Sequence, residues 1–280
     1  MDHKTKCGTI AIVGQPNVGK STLLNYFVGT KLSITSRKAQ TTRYQLLGIH
    51  STPDTQYIFV DTPGYQLKHL NMLNRGLNKT VQQALKEVDV ILFLIEPGVL
   101  DQTDLKILSM IPGETPVVLA INKVDLLKDK NKLLGYIKEL DGIGRFQSIV
   151  PTSVKKSNNL EPLMQALKPF LPEQEFIFKE DELTDKNERF LAAEIVREKV
   201  FRLTGQELPY SIAVEIEKFE HVDGIRRIFA AIIVDRDTHK PMIIGKNGNN
   251  AISKYLLKDI NCNFNSEVIK IFNKNKVWEI

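Results

Sequence analysis

The sequence contains little cysteine and no long apolar segment. Its 280 residues include only two cysteines, Cys7 and Cys262, which are far apart and lack the spacing of metal ligands. We therefore expect free thiols in a reducing compartment, not disulfides or a catalytic cysteine. The apolar run Val90–Ile95 is far shorter than the about 20 residues that span a bilayer, which argues against a transmembrane helix.

A secretory signal is also missing from the start of the sequence. Met1–Lys6 contains basic residues but leads directly into a predicted strand, without an apolar stretch or a small-residue cleavage site. We therefore expect a cytoplasmic protein. The composition, 42% hydrophobic and 25% charged, is ordinary for a globular protein and argues against a disordered or fibrous one. The net charge of +5 is only a weak indication of a polyanionic partner.

Residues 8–170 alternate short β-rich runs with helical patterns. This alternation predicts crossover units and therefore an α/β domain with a doubly wound, mostly parallel sheet. The predicted strands are Thr9–Val13, Tyr57–Val60, Val88–Ile95, Pro116–Ile121 and Ile149–Pro151. The predicted helices are Lys20–Phe27, Thr103–Met110, Asn131–Leu140 and Leu160–Pro169. The functional site is expected where the strands end at one edge of the sheet.

The length of the chain favours two domains. We expect a first domain over residues 1–171, an acidic linker over 172–186 and a second domain over 187–280. The second domain has the pattern of a smaller α+β fold. Its predicted elements are a helix at Asn187–Leu203, strands at Ser211–Phe219 and Arg226–Val234, a helix through about Asp259 and a strand near Glu267–Phe272.

The segment from Gly14 to Ser21 has the composition of a phosphate-binding loop between a strand and a helix. Its glycines let backbone N–H groups converge on an anion, Lys20 can reach the outer phosphates, and the Ser21 hydroxyl can bind Mg²⁺. This loop alone fits either an ATPase or a GTPase. Its expected nucleotide-binding residues are Gly14, Gln15, Pro16, Asn17, Val18, Gly19, Lys20, Ser21 and Thr22.

A second motif, Asp61-Thr62-Pro63-Gly64, follows the predicted strand Tyr57–Val60. Asp61 is expected to hold Mg²⁺ through water, and the Gly64 amide to contact the γ-phosphate. By itself this pattern is a common turn signature. Its order and spacing after the phosphate loop favour the nucleotide site.

Guanine selection is predicted at Asn122-Lys123-Val124-Asp125, which follows the strand Pro116–Ile121. A carboxylate can accept both the ring N–H and the exocyclic amino group of guanine, whereas adenine would leave that charge unpaired. Asp125 therefore predicts GTP as the substrate. Asn122, Lys123, Ser153 and Val154 are expected to support the base.

The polar segment Ser36–Arg43 between these motifs is a candidate switch. A hydroxyl in it, which we assign to Thr42 rather than Thr41, would complete the Mg²⁺ shell only when a γ-phosphate is bound. Lys20, Thr42 and Gly64 are then the candidate catalytic residues. An ordinary polar surface loop is the alternative reading of this segment taken alone.

With these motifs in view, the chain resembles the bacterial Era GTPases. The stretches that carry the resemblance are Ile34–Arg43, Leu183–Asp185, Glu188–Lys199 and Glu207–Ser211. The resemblance covers nearly the whole chain. It implies a GTPase that uses Mg²⁺ and a second domain of the KH type, which binds RNA.

In a KH domain a G-x-x-G loop contacts RNA, and Gly245-Lys246-Asn247-Gly248 matches it. A bare G-x-x-G also marks simple turns. The RNA-binding residues that the resemblance implies are Ile244, Gly245, Lys246, Asn247, Gly248 and Lys254. The implied partners are the 3′ end of 16S rRNA and the 30S subunit, whose maturation the family assists. The alternative is a membrane-associated cell-cycle switch that acts through protein partners.

Two residues point away from Ras-like hydrolysis. Tyr65 stands where Ras-like GTPases carry the glutamine that orients the attacking water. Asn17 resembles the residue that coordinates K⁺ in related GTPases. The hypothesis is slow hydrolysis assisted by Lys20, Mg²⁺ and K⁺. The family also implies peripheral association with the inner face of the membrane, and a monomer is assumed by default.

Overall fold

The computed structural model describes residues 4–35, 45–65, 72–98, 100–129, 131–203, 212–222, 225–239, 243, 268–273 and 276–279. The chain divides into two compact units. One comprises Met1–Ser33 with Ala39–Asp185, and the other comprises Ile34–Lys38 with Lys186–Ile280. Every helix in the described ranges is too short or too polar to cross a membrane.

A six-stranded sheet forms the centre of the first unit, with strand order β2-β3-β1-β4-β5-β6. β2 is antiparallel to β3, and all other neighbours are parallel. The predicted doubly wound, mostly parallel α/β sheet is therefore confirmed. The strands are β1 (Lys6–Gly14), β2 (Leu46–Ser51), β3 (Thr55–Asp61), β4 (Val90–Ile95), β5 (Val117–Ile121) and β6 (Ser148–Pro151).

Five helices alternate with the strands of this sheet along the described part of the chain. They are α1 (Lys20–Val28), α2 (Met72–Ala84), α3 (Gln102–Met110), α4 (Asn131–Asp141) and α5 (Leu160–Leu167). The strands β4 and β5 are buried along their whole length because both faces of the sheet are covered, which explains their unbroken apolar sequences. The strand β2 and the helix α2 lie outside the elements predicted from the sequence.

The second unit contains one described long helix and a four-stranded sheet. The helix is α6 (Glu188–Leu203), and the strands are β7 (Ile212–Val222), β8 (Ile225–Val234), β9 (Val268–Asn273) and β10 (Lys276–Glu279). The sheet order is β10-β9-β8-β7, with β8 and β9 parallel and the other pairs antiparallel. β10 was not predicted. The predicted helix ending near Asp259 lies outside the described residues.

The apolar face of α6 covers this second sheet. Ala192, Val196 and Val200 are fully buried and cluster with Ile212 and Ile228 of the strands. A single helix packed on a sheet buries enough apolar surface for a small core. The unit therefore has the predicted smaller α+β architecture.

The acidic segment before α6 lies along the first unit. Gln174 N donates to the Thr5 carbonyl at 3.1 Å, and Ile49 N donates to the Leu183 carbonyl at 2.9 Å. The side chain of buried Gln56 binds the backbone of residues 177 and 178. The segment expected as a linker is thus hydrogen-bonded to the first unit up to Asp185.

Candidate nucleotide site

The nucleotide-binding candidates gather at one edge of the first sheet. The parallel strands β1, β3, β4, β5 and β6 all end at this edge, as the pairing of Ile12 with Asp61 and of Ile121 with Pro151 requires. The phosphate loop follows β1, the Asp61 motif ends β3, and the base-reading motifs follow β5 and β6. Motifs that are far apart in sequence are therefore neighbours in space.

Backbone shape and limited space explain the second glycine of the phosphate loop. Gly19 has a φ of 108°, in the region that L side chains rarely adopt. A Cβ added there would lie 2.4 Å from Nδ2 of Asn122. The phosphate loop and the base-reading loop therefore approach so closely that only glycine fits between them.

Lys20 is buried beneath the phosphate loop. Its Nζ donates to the carbonyl oxygens of Gly14 at 3.0 Å and of Gln15 at 2.7 Å. Burial lowers the pKa of Lys20 to about 8, and the negative charge of Asp61 acts in the opposite direction. An ammonium group has three N–H donors, so the two hydrogen bonds within the loop leave one donor for a further acceptor.

Asp61 is fully buried and surrounded by hydroxyl groups. Its Oδ2 accepts hydrogen bonds from Ser21 Oγ at 3.2 Å and from Ser33 Oγ at 2.7 Å. The carboxylate and these hydroxyls are hard oxygen donors of the kind that Mg²⁺ prefers, so the residues fit a magnesium ion. Thr62 does not face this group, because its hydroxyl donates to the Ile12 carbonyl at 2.7 Å.

Ser33 was missed by the sequence analysis. It lies just before the candidate switch, in a stretch without a recognisable motif, and its contact with Asp61 spans 28 residues of sequence. No local sequence signal identifies such a contact. Within the described residues, no cluster of three or more His, Cys, Asp or Glu side chains offers a metal site of another kind.

Asn122 ties the base-reading loop to its neighbours on both sides. Its Nδ2 donates to the Val18 carbonyl at 2.8 Å, and its Oδ1 accepts from Val154 N at 3.2 Å. Lys123 has a left-handed backbone (φ 64°), and its Nζ donates to the Asn17 carbonyl at 2.7 Å. Lys123 also pairs with Glu96, a contact that the sequence did not predict.

The carboxylate of Asp125 is held from one side and open on the other. Ser153, which is fully buried, donates its hydroxyl to Asp125 Oδ1 at 2.5 Å, while Asp125 itself is exposed. Because the hydroxyl fixes the carboxylate, the outer face is oriented for a ligand. Two adjacent N–H donors of a guanine ring match such a face.

The remaining predicted residues fall into three groups. Several of them are at least partly exposed: Pro16, Asn17 and Gly64 beside the loop, and Thr22 on α1. Two others, Val18 and Pro63, are buried. Tyr65 is only 6% exposed and belongs to the apolar core cluster. Outside the described residues lie Thr42 and all of the predicted RNA-binding residues (Ile244, Gly245, Lys246, Asn247, Gly248 and Lys254).

Family comparisons match both units. Residues 9–123 match the family described as 50S ribosome-binding GTPase, and residues 207–278 match the KH domain family. The chain is 49% identical over 243 residues to GTPase Era of Nitrosomonas eutropha, covering 87% of this chain and 82% of that protein. It is 45% identical over 280 residues to GTPase Era of Chromobacterium violaceum, covering 99% and 93%.

Solved structures with the same two-part architecture are also similar to this chain. Era in complex with MgGDPNP and nucleotides 1506–1542 of 16S ribosomal RNA has 40% sequence identity and a TM-score of 0.88, covering 96% of this chain and 95% of that one. An Aquifex aeolicus Era variant with a tyrosine-to-alanine substitution, bound to GDP.AlF4-, has 39% identity, a TM-score of 0.89 and the same coverage of 96% and 95%.

Proposed function

The chain belongs to the Era family of GTPases, and from this membership we propose a GTP-controlled switch that binds the 3′ end of 16S rRNA and assists maturation of the 30S subunit. One observation carries the proposal: 96% of this chain, both units included, matches an Era whose complex contains MgGDPNP and nucleotides 1506–1542 of 16S rRNA. Similarity of the first unit alone would support a GTPase but not this RNA partner.

GTP is the substrate of the enzyme, and the phosphate loop is proposed to hold its phosphates. The free N–H of Lys20 would point at the β- and γ-phosphates while its other two donors stay on the loop carbonyls. Ser21 and Asp61 would hold Mg²⁺, which neutralises developing negative charge on the phosphates when it is bound. Gly64 is proposed to contact the γ-phosphate, and Thr42 to join the Mg²⁺ shell in the GTP state.

Guanine is proposed to be selected by Asp125. Ser153 fixes the carboxylate at 2.5 Å, and Asn122 holds the base loop against the phosphate loop. A site built to accept two N–H groups rejects a base that lacks them by a large factor, because a carboxylate would be left unpaired. The alkyl stem of Lys123 is proposed to cover one face of the ring.

Hydrolysis is proposed to depend on K⁺ held by Asn17. The water-orienting glutamine of Ras-like enzymes is replaced by Tyr65, whose side chain lies in the core. Asn17 is exposed on the phosphate loop with a φ of 67°. We expect K⁺ to raise kcat several-fold over Na⁺, and Asn17→Ala to remove that stimulation. Equal rates in the two salts for the unsubstituted protein would refute the cation mechanism and leave GTP binding unaffected.

The RNA partner is tested by crosslinking in the native cell, followed by sequencing of the bound RNA. We expect reads to concentrate at the 3′ end of 16S rRNA. Lys246→Glu, in the expected G-x-x-G loop, should reduce them by about tenfold, because it adds a charge that repels phosphates. Lys132→Glu, an exposed residue of α4 in the first unit, is the matched control and should keep them.

The competing function is a membrane-associated cell-cycle switch with protein partners. It predicts no RNA enrichment in the same experiment. For the Era-type switch, we propose a cytoplasmic monomer, with a fraction held peripherally on the inner face of the membrane. Light scattering of the purified protein tests the monomer, and a salt-released membrane fraction in cell fractionation tests the peripheral association.

A further inference from the structure

Gln15 connects the phosphate loop to the start of α3. Its side-chain Nε2 donates to Oδ1 of Asp101 at 2.8 Å, and its backbone carbonyl accepts from Lys20 Nζ at 2.7 Å. We propose that Asp101 is a positioning residue for GTP binding and hydrolysis, acting through Gln15 on Lys20. This inference rests on the proposed role of Lys20 in the phosphate site.

Asp101 is a rigid point of attachment because it caps α3. The same Oδ1 that binds Gln15 also accepts from the backbone N of Thr103 at 2.7 Å and of Asp104 at 3.0 Å. In turn, the Asp101 N–H donates a hydrogen bond to the carboxylate of Asp104, which completes a capping box. The helix is fixed to the sheet through Ile107, which is fully buried in the core. A tether to Asp101 is thus a tether to the core of the unit.

The Gln15 amide faces a second acid as well. Asp104 is 7% exposed, and its Oδ1 has no hydrogen-bond partner within the part of the chain that the structure describes. Burial raises the pKa of Asp104, whereas the Gln15 side chain acts to lower it. The NH₂ group of the Gln15 side chain has two N–H donors, so it can bind Asp101 and interact with Asp104 at the same time. Hydrogen bonds to charged groups are stronger than neutral ones, so the amide has a strong preference for this position.

The fixed side chain limits the backbone of the loop. Pro16 follows Gln15, and its ring restricts the conformation of residue 15. Pro16 in turn lies against Gly64, where an added Cβ would be 2.9 Å from the Pro16 nitrogen. When Asp101 holds the side-chain amide of Gln15, the backbone carbonyl of Gln15 stays directed at Lys20 and Pro16 stays beside Gly64. Release of the amide would loosen both contacts.

The test compares dissociation of fluorescent GDP and of a fluorescent GTP analogue in the full chain. Gln15→Ala removes the tether but keeps the helix cap, and we expect it to raise both dissociation rates by about tenfold and to lower kcat. Asp101→Asn keeps an acceptor oxygen and should remain within about twofold of the unsubstituted protein. Asp101→Ala should match Gln15→Ala in rate but also lower the melting temperature, since it removes the cap.

The matched control is Gln165→Ala. Gln165 donates to the carboxylate of Glu161 at 2.9 Å on the exposed face of α5. The substitution therefore removes an amide–carboxylate hydrogen bond of the same kind, at a position far from the phosphate loop in sequence. It should leave both dissociation rates unchanged. In the double variant of Gln15→Ala with Asp101→Ala, the rate should not exceed that of the faster single variant, because both remove one interaction.

Three results would overturn the proposal: a Gln15→Ala rate equal to that of the control, multiplied rates in the double variant, or an Asp101→Asn rate as fast as that of Asp101→Ala. A change in melting temperature without a change in dissociation would assign Asp101 a purely structural role, which also contradicts it. Failure of the unsubstituted protein to bind guanine nucleotide is a separate outcome. That outcome would reject the proposed nucleotide site itself.

Discussion

The Ser33 hydroxyl donates a 2.7 Å hydrogen bond to Asp61 Oδ2, the oxygen that also accepts from Ser21. Ser33 is 6% exposed and Asp61 is fully buried. The carboxylate that is proposed to hold Mg²⁺ is therefore oriented from two sides: by the phosphate loop through Ser21, and through Ser33 by the chain that leads into the candidate switch. Groups that orient a metal ligand affect metal affinity even when they do not touch the metal.

Ser33→Ala should weaken Mg²⁺-dependent nucleotide binding. Loss of the hydroxyl removes one of the donors of a buried carboxylate, which we expect to cost about 1–2 kcal/mol of folding stability. The Mg²⁺ concentration that half-saturates GDP binding should rise by about tenfold. Urea unfolding and a magnesium titration of GDP binding measure the two effects. Ser109→Ala, which removes an exposed hydroxyl on α3 bonded to the Lys106 carbonyl, is the control and should change neither.

Asp125→Asn should change the base that the protein prefers. An asparagine presents one oxygen and one amide, which complement the ring N–H and the 2-carbonyl of xanthine, whereas guanine would place its amino group against the amide. We expect the affinity for GDP to fall by about 100-fold or more and the affinity for xanthosine diphosphate (XDP) to rise. Competition binding with the two diphosphates measures this exchange. If both nucleotides lose affinity equally, Asp125 supports the loop and does not read the base.

Part of this site can be predicted from the sequence because its backbone geometry requires particular residue types at fixed spacing. Gly19 must be glycine, since Asn122 occupies the space a Cβ would need, and Lys20 and Ser21 follow at fixed spacing. Ser33 could not be predicted in this way, because its role depends on Asp61, which only the fold brings close to it. The strand β2 was missed for a similar reason. It is short, contains Gly48, and is defined by its antiparallel pairing with β3 rather than by its own sequence pattern.

Tyr65 and the acidic segment show the same limit. The missing glutamine is visible in the sequence, but the burial of Tyr65 in the core is not. The segment 172–186 has the composition of a free linker, with many acids and no apolar periodicity. It is held mainly by backbone hydrogen bonds to Gln56, Thr5 and Ile49. Such contacts use groups that every residue carries, so the composition of the segment does not reveal them.

Gln56→Leu should detach part of this segment. Gln56 is fully buried, and its Oε1 accepts from the backbone N of Ile177 and Phe178 at 3.0 Å each, while its Nε2 donates to the Phe178 carbonyl at 2.8 Å. A leucine leaves these groups unpaired, which we expect to cost about 3 kcal/mol.

Urea unfolding measures the loss of stability in Gln56→Leu, and limited proteolysis should show faster cleavage between residues 173 and 185. The control is Gln83→Leu, an exposed position of α2. Unchanged cleavage in a destabilised Gln56→Leu protein would mean that the segment is held mainly by its other contacts, such as the Lys4–Glu173 pair and the Ile49–Leu183 hydrogen bond.

Asp104→Asn should stabilise the protein at neutral pH. Burial is the main cause that raises the pKa of Asp104 above its ordinary value of 3.8, so the ionised carboxylate opposes folding. Asparagine keeps an oxygen for the Asp101 N–H and removes the charge. It also loses the attraction between an acid and the start of α3, about 0.5 kcal/mol. Because the pKa is raised despite the groups that lower it, we expect Asp104→Asn to increase the free energy of unfolding at pH 7.

The pH dependence identifies the buried charge as the cause of that gain. A raised folded-state pKa means that the penalty is complete above that pKa and disappears below the unfolded value of 3.8. The advantage of Asp104→Asn in urea unfolding should therefore be complete above the folded-state pKa of Asp104 and be lost as the pH falls through that pKa to below 3.8. Asp141→Asn, at the exposed end of α4, should show no such trend. An advantage that stays constant with pH would show that the charge of Asp104 is not the cause of the gain.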